Sequence, residues 1–200
     1  MIVLASASPR RRELLEQIRM PYVVVVSDVE EDNAQHMAPI DLAVLQAKQK
    51  AQAVMAKWNL TETAHQKDCI IGADTIVAAN GQIYGKPKDA SDAMAMLHSL
   101  AGKTHDVITG VAVLFYPGEG EAVTLLADYA LTKVTFRAID SKEIASYVAT
   151  KEPLDKAGGY AIQGLGALFV EKIEGDYTNV VGLPLSVVAK LLQQTGMRLL

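Results

Sequence analysis

Three arginines that follow a short apolar run could bind a polyphosphate. The run at Ile2 to Leu4 gives way to Ser8 and Pro9, and Arg10 to Arg12 come directly after them. Ser8 suits a helix N-cap, and Pro9 suits the first helical position because its missing N–H would be unpaired there anyway. Such a helix start presents free N–H groups and the positive end of a dipole to an anion. The cluster therefore predicts an anion site, with a solvated basic helix start as the alternative.

Two carboxylates could hold a divalent metal beside that anion. Asp74 follows an apolar run that ends at Ala73, and Glu31 lies in an acidic stretch after the second predicted strand. Ligands of α/β proteins bind at the carboxyl ends of strands, and Mg²⁺ takes one or two carboxylates together with substrate phosphates. Each residue also has a plain structural explanation, since Asp74 could form a turn and Glu31 could belong to a solvated loop.

Two lysines add to the candidate site. Lys50 lies within a long predicted helix, and Lys86 stands between Gly85 and Pro87, a flexible and a rigid neighbour that can aim it at a phosphate. A solvated helix face is the alternative for Lys50. Arginines, lysines and two carboxylates together are typical of metal-assisted phosphoryl chemistry.

Other common chemistries find no support in the sequence. There is no Gly-x4-Gly-Lys-Ser/Thr loop and no Gly-x-Gly-x-x-Gly helix start, which disfavours P-loop and dinucleotide-binding proteins. The four histidines have no metal-ligand spacing, and no Ser-His-Asp or Cys-His arrangement stands out.

The elements that must position these residues alternate along the chain. Strands are predicted for the opening run, for Tyr22–Val26, which we expect to be buried, and for Cys69–Ala73, which ends at Asp74. A further strand is predicted for 76–79, before a turn at Asn80-Gly81. His105–Tyr116 and Ala122–Arg137 are predicted to form an antiparallel pair, and Ala167–Val170 a last strand. Helices are predicted for Pro9–Ile18, Ile40–Trp58, Asp89–Leu100, Asp140–Val148 and Leu185–Leu192. We therefore expect an α/β protein in which helices flank a mixed, elongated central β-sheet, as one domain over residues 1–200.

The composition limits the partners and the location. The chain has 200 residues, of which 19 are basic and 23 acidic, and its net charge of −4 argues against a nucleic-acid or membrane surface. The single cysteine, Cys69, excludes an internal disulfide and fits a reducing compartment. The N-terminus lacks the pattern of a secretory signal, and no segment approaches the roughly 18 apolar residues of a membrane span. We expect a cytoplasmic protein.

The same motifs, in the same order, resemble the Maf family of nucleoside triphosphate pyrophosphatases, which are related in fold to the inosine triphosphate pyrophosphatases. The resemblance extends over nearly the whole chain. The segments that carry it are Leu4–Arg11, the region of Glu31, Lys50-Ala51, Gly72–Thr75, Gly85–Pro87, Gly102–His105, Glu152–Gly164 and Val180–Pro184. It implies an α/β fold of the Maf and inosine triphosphate pyrophosphatase type, and a homodimer.

The resemblance implies hydrolysis of a nucleoside triphosphate between its α and β phosphates, which releases a monophosphate and pyrophosphate. It implies that Asp74 is the catalytic acid/base and that Glu31 shares a divalent metal, Mg²⁺ or Mn²⁺, with it. Arg11, Lys50 and Lys86 would bind the phosphates. This assignment is chemically consistent, because attack on the α-phosphorus needs an activated water and positive charge over the leaving pyrophosphate.

Three positions relate to base specificity within the family. Arg10, Thr75 and Gln163 match the group that acts on dTTP and UTP, whereas the group that acts on 7-methyl-GTP typically carries Trp, Gln and Glu there. A Gln amide can donate to O4 or O2 of uracil or thymine and accept from N3–H. Ser8 belongs to the same motif as Arg10 and is expected to contact the substrate. The alternatives are a 7-methyl-GTP pyrophosphatase of the same fold and a nucleotide-binding regulator of septum formation.

Overall fold

A mixed sheet of seven strands forms the centre of the computed structural model, which describes residues 1–29, 37–58, 67–117 and 121–197. The strands are β1 (Ile2–Leu4), β2 (Tyr22–Val24), β3 (Asp68–Ala79), β4 (Gln82–Tyr84), β5 (Thr104–Tyr116), β6 (Thr124–Phe136) and β7 (Val170–Glu174). Their order is β2-β1-β3-β5-β6-β7, and β4 pairs with β3. β1 runs parallel to β2 and β3, and the other pairings are antiparallel. The predicted α/β class with a mixed sheet is confirmed.

Helices cover both faces of this sheet. They are α1 (Pro9–Gln17), α2 (Pro39–Trp58), α3 (Ala90–Leu100), α4 (Ser141–Ala149), α5 (Tyr177–Val181) and α6 (Leu185–Gln194). α2 packs on one face, and α1, α5 and α6 pack on the other, where α3 and α4 cover the far end. Among the residues that the structure describes, no helix is long and apolar enough to cross a membrane.

β1 and β4 pair with the same edge of β3, and a gap separates them. β5 pairs with residues 68–78 along one edge of β3, while β1 pairs with 69–71 and β4 with 77–79 along the other. In the described part of the chain, no strand pairs with 72–76 on that second edge. The prediction that a strand ends at Asp74 is wrong, because pairing with β5 keeps β3 continuous. Asp74 instead lies on β3 beside the gap, beyond the carboxyl end of β1.

Two glycines let α2 lie directly on the sheet. A Cβ on Gly72 would stand 2.2 Å from the carbonyl oxygen of Ala47, and a Cβ on Gly110 would stand 2.4 Å from the backbone of α2. Gly110 is the partner of Asp74 across β3 and β5. The helix backbone therefore touches the strands immediately beside Asp74, and Lys50, three residues after Ala47, is brought over it.

Most predicted helices are confirmed, and local capping sets where they begin. Asp89 precedes α3 and accepts from the N–H of Asp92. Asp140 precedes α4 and forms a capping box with Glu143. Ser8 occupies the N-cap position of α1, as predicted, but its side chain makes no capping hydrogen bond.

Three details of the secondary structure differ from the predictions. β2 is a short, partly exposed edge strand rather than a buried one, since among the described strands only β1 pairs with it. Leu165–Phe169 is a 3-10 helix, so the strand predicted for Ala167–Val170 is wrong and β7 begins at Val170. α5 was not predicted, because five residues are too few for a helical period to show.

We expect Gly72→Ala to lower the free energy of unfolding by at least about 3 kcal/mol, because the added methyl group must push α2 away from β3. Denaturant unfolding followed by circular dichroism measures this loss. Gly81→Ala is the control: it places a methyl group where nothing lies within 4 Å, at a φ of 75°, and should cost only about 1 kcal/mol. Equal losses in the two variants would contradict the close approach of α2.

Candidate functional site

A cavity of about 400 Å³ opens at the gap between β1 and β4. The predicted site residues that line it are Ser8, Arg10, Arg11, Lys50, Asp74, Thr75 and Lys86. Gln163 is exposed and does not line the cavity, although its neighbour Ile162 does. Glu31 lies outside the described residues. The fold therefore brings seven of the nine predicted residues together.

Asp74 and Lys50 form a buried ion pair on the cavity wall. Lys50 Nζ donates to Oδ1 of Asp74 over 2.5 Å, and the two side chains are only 9% and 7% exposed. Either charge would be costly to bury alone, so each compensates the other. The ion pair therefore fixes the position of the Asp74 carboxylate, because it joins a residue of β3 to a residue of α2.

Arg11 is buried and bonded to three uncharged oxygens. Its Nε donates to the carbonyl of Gly182 over 2.7 Å, Nη1 to the hydroxyl of Ser6 over 3.0 Å, and Nη2 to the hydroxyl of Thr75 over 3.2 Å. These bonds come from three separate segments and fix the direction of the guanidinium before any ligand binds. Arg12, the third arginine of the predicted cluster, is not among the lining residues.

A chain of hydroxyl groups continues from Arg11 into the sheet. The hydroxyl oxygens of Thr75 and Thr109 are 3.0 Å apart, and the hydroxyl of Thr109 donates to the carbonyl of Asn179 over 3.0 Å. Because Thr109 has only one proton to give, Thr75 must donate to Thr109. The hydroxyl of Thr75 can therefore only accept further hydrogen bonds, and Arg11 supplies one of them.

Sequence reasoning missed several polar residues of the cavity. They are Ser6, Ser27, Gln46, Tyr84, Asp155, Lys156 and Tyr160. Gln46 lies one turn before Lys50 on α2, so helical spacing could have placed it on the same face. The last three lie within Glu152–Gly164, a segment that resembles the Maf family but for which the resemblance suggested a role only at Gln163.

A buried histidine supports the cavity wall at Tyr160. His105 is 2% exposed, and its Nε2 lies 2.9 Å from the hydroxyl of Tyr160. Both rings pack edge-to-face against Phe136. Burial lowers the pKa of His105 to about 4 and raises the pKa of Tyr160 above its ordinary value. Both side chains are consequently neutral at neutral pH.

Glu152 fixes the loop that carries Gln163. Its carboxylate accepts from the Leu165 N–H over 3.0 Å and from the Tyr147 hydroxyl over 2.8 Å. A Cβ on Gly164 would stand 2.4 Å from this carboxylate, so any other residue there would displace the Glu152 side chain from its present position. Burial raises the pKa of Glu152, but these hydrogen bonds outweigh burial and bring the pKa below its usual value.

Positive charge is concentrated in the cavity although the chain is acidic. Among the described residues that line the cavity, five are cationic and two are anionic, an excess of three positive charges: Arg10, Arg11, Lys50, Lys86 and Lys156 against Asp74 and Asp155. The whole chain carries −4. This local excess favours a polyanionic ligand.

Asp74 fits a site for a hard divalent cation that arrives with a nucleotide. Such a cation needs only one or two protein carboxylates, because phosphate oxygens and waters complete its coordination. Within the described residues, no group of three or more His, Cys, Asp or Glu side chains could hold a metal by itself. With the described residues alone, a bound cation would therefore need oxygens of the substrate to complete its coordination.

The family model and the most similar relatives agree on one family. The sequence model of Maf, described as Maf-like protein, matches residues 1–195. The dTTP/UTP pyrophosphatase of Bacillus cytotoxicus is 50% identical over 96% of this chain and 94% of its own, and those of Bacillus mycoides and Bacillus cereus are 46% identical with the same coverage. The solved structure of the Staphylococcus aureus Ham1 protein is 14% identical, with a TM-score of 0.36 over 67% of this chain and 71% of its own.

Stability should depend on pH through His105. Its pKa is about 4 in the folded protein and about 6.5 when unfolded, so the unfolded state binds more protons and stability falls as the pH drops through this window. Between pH 7.5 and pH 4.5 the loss is on the order of 2 to 3 kcal/mol. His105→Gln retains a polar partner for Tyr160 without titrating, so its unfolding free energy should change less between these two pH values. Identical pH dependence in both proteins would contradict this account.

Proposed function

The chain belongs to the Maf-like protein family, and from that premise we propose that it hydrolyses dTTP and UTP to the nucleoside monophosphate and pyrophosphate. The observation that carries this proposal is the cavity at Asp74, where a buried carboxylate–ammonium pair lies among an excess of cations. A triphosphate supplies the negative charge that would balance such a cavity. The name dTTP/UTP pyrophosphatase, which three relatives at 46 to 50% identity carry, supports the substrate class.

Asp74 is the residue that we assign to acid/base catalysis. A water beside its carboxylate attacks the α-phosphorus, and Asp74 accepts a proton from that water as the new O–P bond forms. The bond from the α-phosphorus to the bridging oxygen breaks, and pyrophosphate leaves with that electron pair. Lys50 holds the carboxylate in place through the 2.5 Å hydrogen bond.

Arg11, Lys50 and Lys86 stabilise the charge that moves onto the leaving pyrophosphate. Arg11 is already oriented by its bonds to Gly182 and Thr75, so little reorganisation is needed when the substrate binds. Lys86 is exposed at the cavity, where its ammonium group is accessible to a phosphate of the substrate.

A divalent metal completes the proposed site. When bound, Mg²⁺ or Mn²⁺ neutralises phosphate charge and polarises the phosphoryl group. We propose that Asp74 and Glu31 hold it, with phosphate oxygens as the remaining ligands.

Base selection is assigned to Arg10, Thr75 and Gln163, with Ser8 as a further substrate contact. Since the hydroxyl of Thr75 is bonded to Arg11 and Thr109, we propose that Thr75 acts mainly by directing Arg11. Gln163 would reach the base from the loop that Glu152 fixes. A 7-methyl-GTP pyrophosphatase is the alternative enzyme, and the residues at these three positions disfavour it. A regulator of septum formation that binds nucleotide without turnover is the alternative outside catalysis.

We also propose a cellular location, an oligomeric state and a domain organisation for the enzyme. We place it in the cytoplasm, where its substrates are found and where a buried free thiol such as Cys69 stays reduced. A homodimer and a single domain over 1–200 are what the resemblance and the composition imply.

A nucleotide panel tests the proposed function directly. With Mg²⁺ or Mn²⁺ present, the purified protein should release pyrophosphate from dTTP and UTP faster than from the other common nucleotides, and a chelator should stop the release. Pyrophosphate production and kcat/KM are the measurements. A preference for 7-methyl-GTP would contradict the specificity, and binding of dTTP without any pyrophosphate release would favour a regulator.

Asp74→Asn should lower kcat for dTTP by about 10²- to 10⁴-fold, because the amide cannot accept the proton from the attacking water. Triphosphate binding should persist, since the cations are retained, and equilibrium binding of dTTP measures it. Asp106→Asn is a matched control, because that carboxylate pairs with Lys133 over 2.9 Å outside the cavity. Unchanged turnover in Asp74→Asn would refute the assigned role.

A further inference from the structure

Among the described residues that line the cavity, Asp155 is the second carboxylate besides Asp74. It closes the short 3-10 helix Glu152–Asp155 and lines the cavity beside Lys156. Its Oδ1 accepts a hydrogen bond from Lys156 Nζ, and its side chain is 73% exposed. An ionised carboxylate can accept about four hydrogen bonds, so Asp155 retains accepting capacity for a ligand.

Two donors lie around this carboxylate. Burial raises the pKa of Asp155, but the hydrogen bond and charge of Lys156 and the charge of Arg10 outweigh burial and bring the pKa below its usual value. Asp155 is therefore ionised at neutral pH and only accepts hydrogen bonds. Lys156 has three N–H groups and Arg10 has five, of which one N–H of Lys156 is used by Asp155.

Asp155 has to meet a part of the nucleotide that carries a hydrogen-bond donor. Arg11, Lys50 and Lys86 suit the triphosphate, whose ionised oxygens only accept hydrogen bonds and offer nothing to a carboxylate. The base does carry N–H donors. Lining residues near Asp155 in the chain include the apolar Ala157, Ala161 and Ile162, which suit the flat faces of a base. The base therefore belongs at the end of the cavity that Asp155 lines.

Uracil and thymine present acceptor, donor and acceptor groups in order along the edge that carries O2, N3–H and O4. Arg10, Asp155 and Lys156 offer the complementary set of two donors and one acceptor. We propose that Asp155 selects uracil and thymine by accepting the hydrogen bond from N3–H, which leaves the Gln163 amide to donate to O4 or O2, an inference that rests on the proposed function. Cytosine has an unprotonated N3, whose lone pair would face the carboxylate and be repelled.

Asp155→Asn tests this role, because an amide can turn its NH₂ group toward the N3 of cytosine. The amide oxygen can still accept from N3–H of uracil, but without the negative charge, so kcat/KM for UTP should fall by about tenfold. The kcat/KM for CTP should rise, because the NH₂ group now donates to N3 of cytosine. The measured quantity is the ratio of the two values in one preparation, from which the fraction of folded protein cancels. Asp128→Asn is the matched control, since Asp128 pairs with Lys190 outside the cavity, and it should leave the ratio unchanged.

The remaining outcomes separate the inference from the function on which it rests. A uniform loss for UTP, dTTP and CTP would mean that Asp155 binds the ribose or a metal, and an unchanged ratio would mean that it contacts no base; either result overturns the inference while hydrolysis stands. Equilibrium binding of UMP and CMP to the wild type and to Asp155→Asn gives the same ratio without catalysis. A wild type that releases no pyrophosphate from UTP would refute the proposed function, and the binding ratio would still decide the role of Asp155.

Discussion

The contact between the backbone of α2 and the two central strands is the constraint on which the site depends. Without a Cβ at Gly72 and Gly110, the helix lies within contact distance of β3 and β5, and Lys50 reaches Asp74. A helix one side chain farther away would leave a lysine without its carboxylate in the core. Since a buried ion pair is tolerated only when its geometry is good, the two glycines determine whether the charges at this position stabilise or destabilise the fold.

The gap in the sheet is the second requirement, and it explains how a residue in the middle of a strand can serve a site. Strand interiors normally face a packed layer on each side. Here the pairing with β1 stops at residue 71 of β3 and the pairing with β4 starts at residue 77, so within the described residues the edge of β3 between them borders a cavity rather than another strand. The loop after β1 and the start of α1 close this cavity and bring Arg11 to it. Pairing with β5 on the other edge keeps β3 continuous through this stretch.

Signals in the sequence were sufficient for most elements and for seven of the residues that line the cavity, but not for others such as Gln46 and Tyr160. The caps of α3 and α4 follow from Asp89 and Asp140, and the basic turn and the two lysines do line one cavity. The continuity of β3 through Asp74 was not predictable, because it depends on a strand about 40 residues later in the chain. The same limit applies to Arg11, two of whose partners, Thr75 and Gly182, come from distant segments. Gln163, which the family resemblance indicates, lies on a loop that Glu152 holds by accepting from the N–H of Leu165. The sequence pattern does not predict this contact.

The two ends of the cavity are built in different ways, and this has a consequence for specificity. The end proposed for the phosphates rests on β3, α2 and α1, where a change of side chain disturbs core packing. The end proposed for the base rests on the 3-10 turns after α4, which the carboxylate of Glu152 ties to backbone N–H groups and to Tyr147. Substitutions at exposed positions such as Asp155 and Gln163 leave that carboxylate and the core unaltered. Base preference can therefore change through Asp155 and Gln163 while Asp74 and Lys50 keep their geometry, whereas Arg10 on α1 and Thr75 on β3 share their elements with Arg11 and Asp74.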